Sequence, residues 1–325
     1  MTSIIETERL ILRPLTLADA ETAYHGWTGD PEVAKYVSWL PHHSIDEAIE
    51  WLKEIEWKQD AEGNIIPNDN YIWGFVLKET GELFGSGGLI WEDDWQLFQV
   101  GYNIKKSHWN HGYTTEAMKA ILRFAAATLG LKRIAGGHAK ENLASAKVIE
   151  KLGFVYDRDD VVPHVDGVRF FESREYYLDL DISIRKAVKS DFPQLFKLYR
   201  ELQPDDPPID ESAANVVWEQ SMNNEITYFV AESVGFVVAS CYIAIIPNLT
   251  RRCSPIGFIE NIITAADYRR QGIGRKLLEA AVEYAKEHGC YKVTLQSGVK
   301  RTDAHEFYKS VGFDGNSKRA FEIRF

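Results

Sequence analysis

Read as runs of apolar and polar positions, the chain makes two passes through one pattern. Arg9 to Pro14 alternates and stops at proline, which predicts a strand. Thr16-Leu-Ala-Asp-Ala-Glu21 then reads as a capped helix start. Ile45, Ala48, Ile49, Leu52 and Ile55 recur at helical spacing and predict a helix over 45–57. Strands are expected over 71–77 and 83–90, joined at Glu79-Thr-Gly81, and over 98–104. A glycine-containing turn follows, then a helix over 115–129 with Met118, Ile121, Leu122, Ala125 and Leu129 on one face. A strand over 132–136, a short helix over 145–152 and a strand over 170–180 close the first pass.

The second pass begins at Ile182–Ala187, which alternates as Arg9–Arg13 does, and Ser190-Asp-Phe-Pro193 opens a helix. A hairpin over 228–232 and 236–246 turns at Gly235, and a strand over 258–264 leads into a second glycine turn. Leu277, Leu278, Ala281, Val282 and Ala285 line one face of the next helix. A strand over 292–297, a helix over 304–311 and a strand over 320–325 complete the pattern. Gly112, Gly130 and Gly153 recur as Gly272, Gly289 and Gly312, within one residue of the same spacing. That ladder indicates one fold used twice.

Length agrees, because 325 residues exceed what one hydrophobic core usually supports. We place the domains at 1–180 and 181–325. The net charge of −11 argues against a nucleic-acid partner, which needs a basic face. Glu6, Glu8 and Arg9 interrupt the start before any signal-peptide core, and no apolar run is long enough to span a bilayer. Cys241, Cys253 and Cys290 are odd in number and widely spaced, which suggests neither a disulfide framework nor a metal site. The expectation is a cytoplasmic protein with no membrane partner and no metal.

The glycine turns carry the chemistry. A dinucleotide fold would place the turn after its first strand and a third glycine at 277, where this chain has Leu277. Neither turn supplies the G-x-x-x-x-G-K-[ST] of a P-loop. Each turn can present backbone N–H groups at a helix start, where the dipole favours an anion, and Arg269, Arg270, Arg275 and Lys276 add positive charge at the second. An ordinary tight turn with solvated arginines is the alternative.

Arg269-Arg-Gln-Gly-Ile-Gly274 resembles the Q/R-x-x-G-x-G/A signature of the GCN5-related N-acetyltransferases, as do His305-Glu-Phe-Tyr308 and Val311-Gly-Phe313. The first half resembles the branch that includes the ribosomal-protein N-terminal alanine and serine acetyltransferases. It does so through Glu6 to Pro14, Gly101-Tyr102, Trp109-Asn-His-Gly-Tyr113, Thr115-Glu-Ala117, Glu141-Asn142 and Leu152-Gly-Phe154. The resemblance implies an α+β fold, a three-layer α/β/α sandwich, in two tandem acyl-CoA N-acyltransferase domains. Each would have a mixed, V-splayed central sheet flanked by helices.

It also implies acetyl-CoA as co-substrate. In the second domain Ile262, Ile263, Arg269, Arg270, Gln271, Gly272, Ile273, Gly274 and Arg275 would hold it. In the first domain the corresponding residues are Trp109, Asn110, His111, Gly112, Tyr113, Thr114 and Thr115, beside a strand at Val100–Ile104. The acceptor would be a primary amine, on a small molecule or a peptide or protein N-terminus.

Acyl transfer to an amine by direct attack needs a base for the amine proton, a donor for the tetrahedral oxyanion and an acid for the leaving thiolate. By resemblance Tyr308 is the acid of the second domain, and a phenol near pKa 10 is close enough to a thiol for transfer. Glu260 is the candidate base, Asn261 a candidate for ordering a water, and His305 a weaker candidate. The tyrosine position of the first domain holds Ile149. The resemblance passes the acid role there to Ser145 of Asn142-x-x-Ser145, with a helix-cap role for Ser145 as the alternative. The usual glutamate position, before Val-Gly-Tyr, holds Gln99, which leaves Glu92, Asp93, Asp94 or water as base. Trp91 and Trp95 flank those acids, either as part of an amine-binding wall or as ordinary core aromatics. Two readings stay open: both domains are enzymes, or only the second is and the first binds acyl-CoA, dimerises or docks substrate. A monomer with a pseudo-dimeric domain pair and a homodimer are both compatible.

Overall fold

The computed structural model describes residues 4–55, 70–164, 166–168, 170–222 and 226–323. The chain divides into two compact units, Met1–Asp181 and Ile182–Phe325. Among the described residues, no helix is long and apolar enough to cross a membrane.

The first unit runs β1 (Ile5–Glu6), β2 (Leu10–Pro14), α1 (Ala20–Ala23), α2 (Ile45–Glu54), β3 (Asn70–Leu77), β4 (Leu83–Glu92) and β5 (Leu97–Ile104). It continues with α3 (Tyr113–Ala127), β6 (Arg133–Ala139), α4 (Leu143–Lys151), β7 (Val155–Pro163) and β8 (Phe170–Asp179). These strands form one sheet in the order β1-β2-β3-β4-β5-β6-β8-β7, antiparallel except between β5 and β6. The parallel pair needs a crossover, and α3 supplies it. Side chains alternate across the sheet. Trp73 meets Phe124 of α3 on one face, while Ile72 and Val76 join Leu15, Ala23, Trp27, Ala48 and Leu52 from α1, α2 and their flanks on the other.

The second unit runs β9 (Ser183–Lys186), α5 (Phe192–Leu202), α6 (Glu211–Met222), β10 (Ile226–Ser233), β11 (Phe236–Ile246) and β12 (Ile256–Thr264). Then come α7 (Ile273–Glu287), β13 (Lys292–Leu295) and α8 (Thr302–Ser310). Its sheet order is β13-β12-β11-β10-β9, with β12 and β13 parallel across the α7 crossover.

Both units begin with the same clamp. Arg13 grips the Asp19 carboxylate at 2.7 and 2.8 Å, and Asp19 accepts the Thr16 amide, closing the turn into α1. Arg185 grips Asp191 in the same way, and Asp191 accepts the Val188 amide at 2.8 Å. The expected helix start at Thr16 is therefore real, though it passes through a 3-10 turn at Leu17–Asp19 before α1. The carboxylate that closes it is Asp19.

Both sheets splay where their parallel pairs part. β12 pairs with β13 from Ile256 to Ile259, and Glu260–Thr264 then keep β11 alone as a described neighbour. The described pairing of β5 with β6 is Gln99 with Ala135, and Val100–Ile104 run on beside β4. The units differ in one detail. β12 carries a bulge where its register against β11 shifts between Ser240 and Tyr242, with Asn261 at φ 53°, whereas β5 runs against β4 without a shift.

Three elements depart from the sequence expectation. β7, with no apolar alternation, is exposed along almost its whole length and was missed; β8 and ion pairs such as Lys140–Asp159 hold it. α6 was missed because it buries chiefly Trp218 and leaves Val216 and Val217 exposed. The strand expected over 320–325 is not formed over the described 320–323. Phe321 and Ile323 are solvent-exposed there, since alternation without a paired edge does not make a strand. The helix over 45–57 is α2 and ends at Glu54; Trp57 lies outside the described residues.

Candidate active site

The second glycine turn folds as a short 3-10 turn at Ala266–Tyr268, then Arg270 at φ 64° and Gly272 at φ 77°, both left-handed. Gly272 serves because glycine alone enters that region without steric cost. The first main-chain bond of α7 runs from the Lys276 amide to the Gly272 carbonyl, so the amides of Ile273, Gly274 and Arg275 face out of the helix start. This is a cradle suited to a phosphate. Gly274 is small for a different reason, since a Cβ there would lie 3.2 Å from the Phe307 ring of α8. Two of the expected cationic contacts are occupied by the fold. Arg269 Nε donates to the Thr264 carbonyl, and Arg275 donates to the Ser310 carbonyl and hydroxyl at the end of α8. Gln271 donates to the Asp267 carbonyl. Ile262 and Ile263 lie on the splayed part of β12, beside the bulge.

At that splay a cavity of about 70 Å³ is lined by Leu202 and Gln203 from α5, by Ile259, Glu260, Asn261 and Ile262 of β12, and by Gln296, Arg301 and Tyr308. Glu260 and Tyr308 thus share one chamber. Burial raises the Glu260 carboxyl, against the Asn261 amide that favours its ionised form, which makes it a better proton acceptor. Tyr308 is 8% exposed; burial raises its phenol, and Arg301 works in the opposite sense. Arg301 would therefore stabilise the phenolate left after proton donation. His305 bonds the Gly298 carbonyl at 3.0 Å, a structural contact.

The first turn repeats this backbone. Asn110 at φ 63° takes the place of Arg270, and Gly112 at φ 79° that of Gly272. The first bond of α3 runs from Glu116 to Gly112, leaving the amides of Tyr113, Thr114 and Thr115 outward. Around it the chemistry differs. Trp109 Nε1 donates to the Ile104 carbonyl, and His111 stacks on Tyr113 at 5.5 Å. Arg9 lies over the Tyr113 ring, donates to the His111 carbonyl and clamps Glu116. Burial would raise the Glu116 carboxyl, but Thr7 and Arg9 outweigh it and hold it below its ordinary value. A carboxylate thus sits in the first turn of α3, where α7 carries Arg275 and Lys276.

On α4, Asn142 Oδ1 accepts the Ser145 amide at 3.1 Å, so Asn142 is the helix cap. That leaves the Ser145 hydroxyl for the Tyr102 phenol of β5, 2.6 Å away. Burial pushes Tyr102 up to about 12 despite that bond. One hydrogen bond thus joins Tyr102 of β5 to Ser145 of α4.

Residues 9–155 match the Acetyltransferase (GNAT) domain, and residues 192–313 match the Acetyltransferase (GNAT) family. The chain belongs to the GNAT acetyltransferase family. It is an acyltransferase acting on amino groups, with acetyl-CoA as acetyl donor. The N-acetyltransferase YoaA of Bacillus subtilis is 30% identical over 47% of this chain and 84% of its own length. A glucosamine 6-phosphate N-acetyltransferase of Trypanosoma brucei brucei is 28% identical over 43% of this chain and 94% of its own. Among solved structures, a GNAT-family acetyltransferase from Bacillus anthracis superposes with a TM-score of 0.45 at 21% identity, over 54% of this chain and 98% of that one.

Within this tandem GNAT chain the ladder registers set the correspondence between the two strands. Ala239 faces Thr264 in the second unit as Gly85 faces Ile104 in the first, so Tyr242 corresponds to Gly88. The partner of Tyr242 is Glu260 and the partner of Gly88 is Gly101. By register the counterpart of Glu260 is thus Gly101, where counting back from the glycine turns gives Val100. The bulge displaces the two strands by one residue, which motif spacing does not reveal. Arg301, Gln296 and Tyr102 were also missed as site residues. Tyr102 had appeared only as a motif marker, and Arg301 lies outside any motif.

Proposed function

We propose that the second unit acetylates a primary amine, of a small molecule or of a peptide or protein N-terminus, with Glu260 as base and Tyr308 as acid. The observation that carries this is the shared cavity, lined by a half-buried carboxyl that burial raises and by a buried phenol with Arg301. The outward amides of Ile273, Gly274 and Arg275 hold the pyrophosphate of acetyl-CoA, and the splayed edge of β12 at Asn261–Ile263 holds its pantetheine arm. Acetyl-CoA supplies the activated acyl group. Glu260 takes the ammonium proton, directly or through a water in the cavity, and Tyr308 protonates the departing thiolate. Some relatives act on glucosamine 6-phosphate or on aminoglycosides, both amino sugars, which places such amines first in a substrate screen.

The first unit performs the same reaction with Ser145 as acid, backed by Tyr102. Its cradle at Trp109–Thr115 is looser because Glu116 stands in the helix start. Calorimetric titration with acetyl-CoA should give two sites per chain, the weaker one lost on Gly112→Trp. A single site overturns the two-enzyme reading. Tyr308→Phe and Ser145→Ala, assayed by thiol release, should each remove a separate part of the turnover.

A further inference from the structure

We propose that Glu175 of β8 is the base of the first unit, its carboxylate lying over Gly137 of β6 on the face that Gly101 of β5 also presents. This rests on the reading of the first unit as an enzyme.

The argument is one of levels and faces. Gly136 faces α4, since a Cβ there would meet Ile149, Phe154 and Val100. Its neighbour Gly137 faces the opposite side, as Gly101 does next to Val100. Glu175 pairs with Gly137 across β6 and β8. Its carboxylate lies over Gly137, in the space a Cβ would fill. Gln99 is level with Ala135, the described pairing of β5 with β6, and Gly101 and Gly137 each lie two residues beyond it, where the strands part. Glu175 thus lies over Gly137 on the face that Gly101 also presents, where the Ile90 side chain stands against Gly101. Gln99 and Glu92 share this face, as the positions paired with and following Ile90.

Glu175 is 3% exposed, and its Oε1 accepts from Ser173 Oγ at 2.5 Å. Oε2 is buried with no hydrogen-bond partner among the described residues. A buried carboxylate oxygen without a partner is costly to keep unless it serves a ligand. The charged groups around it are Arg158 and Asp160 of β7 and Glu92 of β4. Arg158 pairs with Asp157 and Asp160 and lies over the Trp95 ring. Burial is the main force raising the Glu175 carboxyl, and Ser173 opposes it. Glu92 is raised as well, by burial and by Asp94 and Asp93.

An ammonium group binds between Glu92 and Glu175, and its proton passes to Glu175 Oε2 and then to solvent. The neutral amine forms the N–C bond, the C–S bond breaks, and the thiolate takes a proton from Ser145, which recovers one through Tyr102 from the amide nitrogen's second proton by way of solvent.

The test uses a Tyr308→Phe chain, which silences the second unit, with glucosamine 6-phosphate, an aminoglycoside and a peptide bearing a free N-terminal alanine as acceptors. Glu175→Gln should lower kcat by about 100-fold or more, leave KM for acetyl-CoA in place, and remove the acid limb of the pH profile. Ser173→Ala, which keeps the carboxylate, should move that limb to higher pH. Unchanged turnover and an unchanged acid limb in both variants overturn the proposal. Two bound acetyl-CoA with no thiol release from any of the acceptors overturns the catalytic reading of the first unit, and this proposal with it. One bound acetyl-CoA overturns the two-enzyme reading alone if Glu175→Gln still abolishes release from that chain.

Discussion

Gly272→Ala separates backbone strain from packing at the pyrophosphate cradle. Gly272 is held at φ 77° with no atom within 4 Å of where a Cβ would stand. The substitution therefore meets no neighbour, and its whole effect is the left-handed conformation, about 1–2 kcal/mol for a non-glycine residue. For a unit of this size each kcal/mol shifts Tm by about 2–4 °C, so the second unit should melt roughly 2–8 °C lower. Gly274→Ala is the control. It has a helical φ, and its Cβ would lie 3.2 Å from Phe307 and 3.6 Å from Thr264 Oγ1. Better helix propensity, at most about 1 kcal/mol, then opposes a small ring displacement, and Tm should barely move. Any loss in that variant should appear in kcat, because Phe307 packs on Tyr308 at 5.4 Å. Scanning calorimetry with and without CoA reads both effects. If Gly272→Ala melts within a degree of the parent and binds CoA equally well, the left-handed turn does not shape the cradle.

The other predictions are briefer. Glu260→Gln should reduce turnover by the second unit roughly 10²–10⁴-fold and abolish the acid limb of its kcat/KM profile, measured in a Ser145→Ala chain; an intact limb refutes the base assignment. Tyr102→Phe and Ser145→Ala should damage the first unit equally, with no further loss in the double variant, since they act through one hydrogen bond. Additive losses would separate them. Asp191→Asn should lower Tm. Burial would raise the Asp191 carboxyl, but Arg185 and the Val188 amide outweigh it and hold it below the ordinary range. That stabilisation is complete above the unfolded pKa of about 3.9 and is lost as pH falls through the lower folded value. The Tm gap between variant and parent should therefore hold from pH 5 to 8 and close in strong acid.

The duplication, the glycine turns and the Glu260–Tyr308 chamber were legible because each rests on local chemistry: a left-handed glycine, an apolar helix face, a residue at fixed distance from a turn. What stayed hidden depends on pairing. β7 has exposed positions on both faces and is ordered by β8, so period-two alternation could not announce it. Tyr102 reaches Ser145 across 43 residues of sequence, and Glu175 is set over Gly137 only by the antiparallel register of β6 and β8. The arginines carry contacts that sequence does not show. Arg269 and Arg275 read as phosphate ligands by type and place, and each also donates to a carbonyl of its own unit.

The bulge at Asn261 bears on how the two copies came to differ. Side chains along a strand alternate, so adding or removing one residue reverses the facing of everything on one side of the change. A single-codon deletion at Asn261 would turn Glu260 from the chamber toward α7 while leaving the Glu260 and Tyr308 side chains themselves unaltered. A duplicated gene can thus lose or regain a base through one indel, and a scan of point substitutions alone would never reproduce that step.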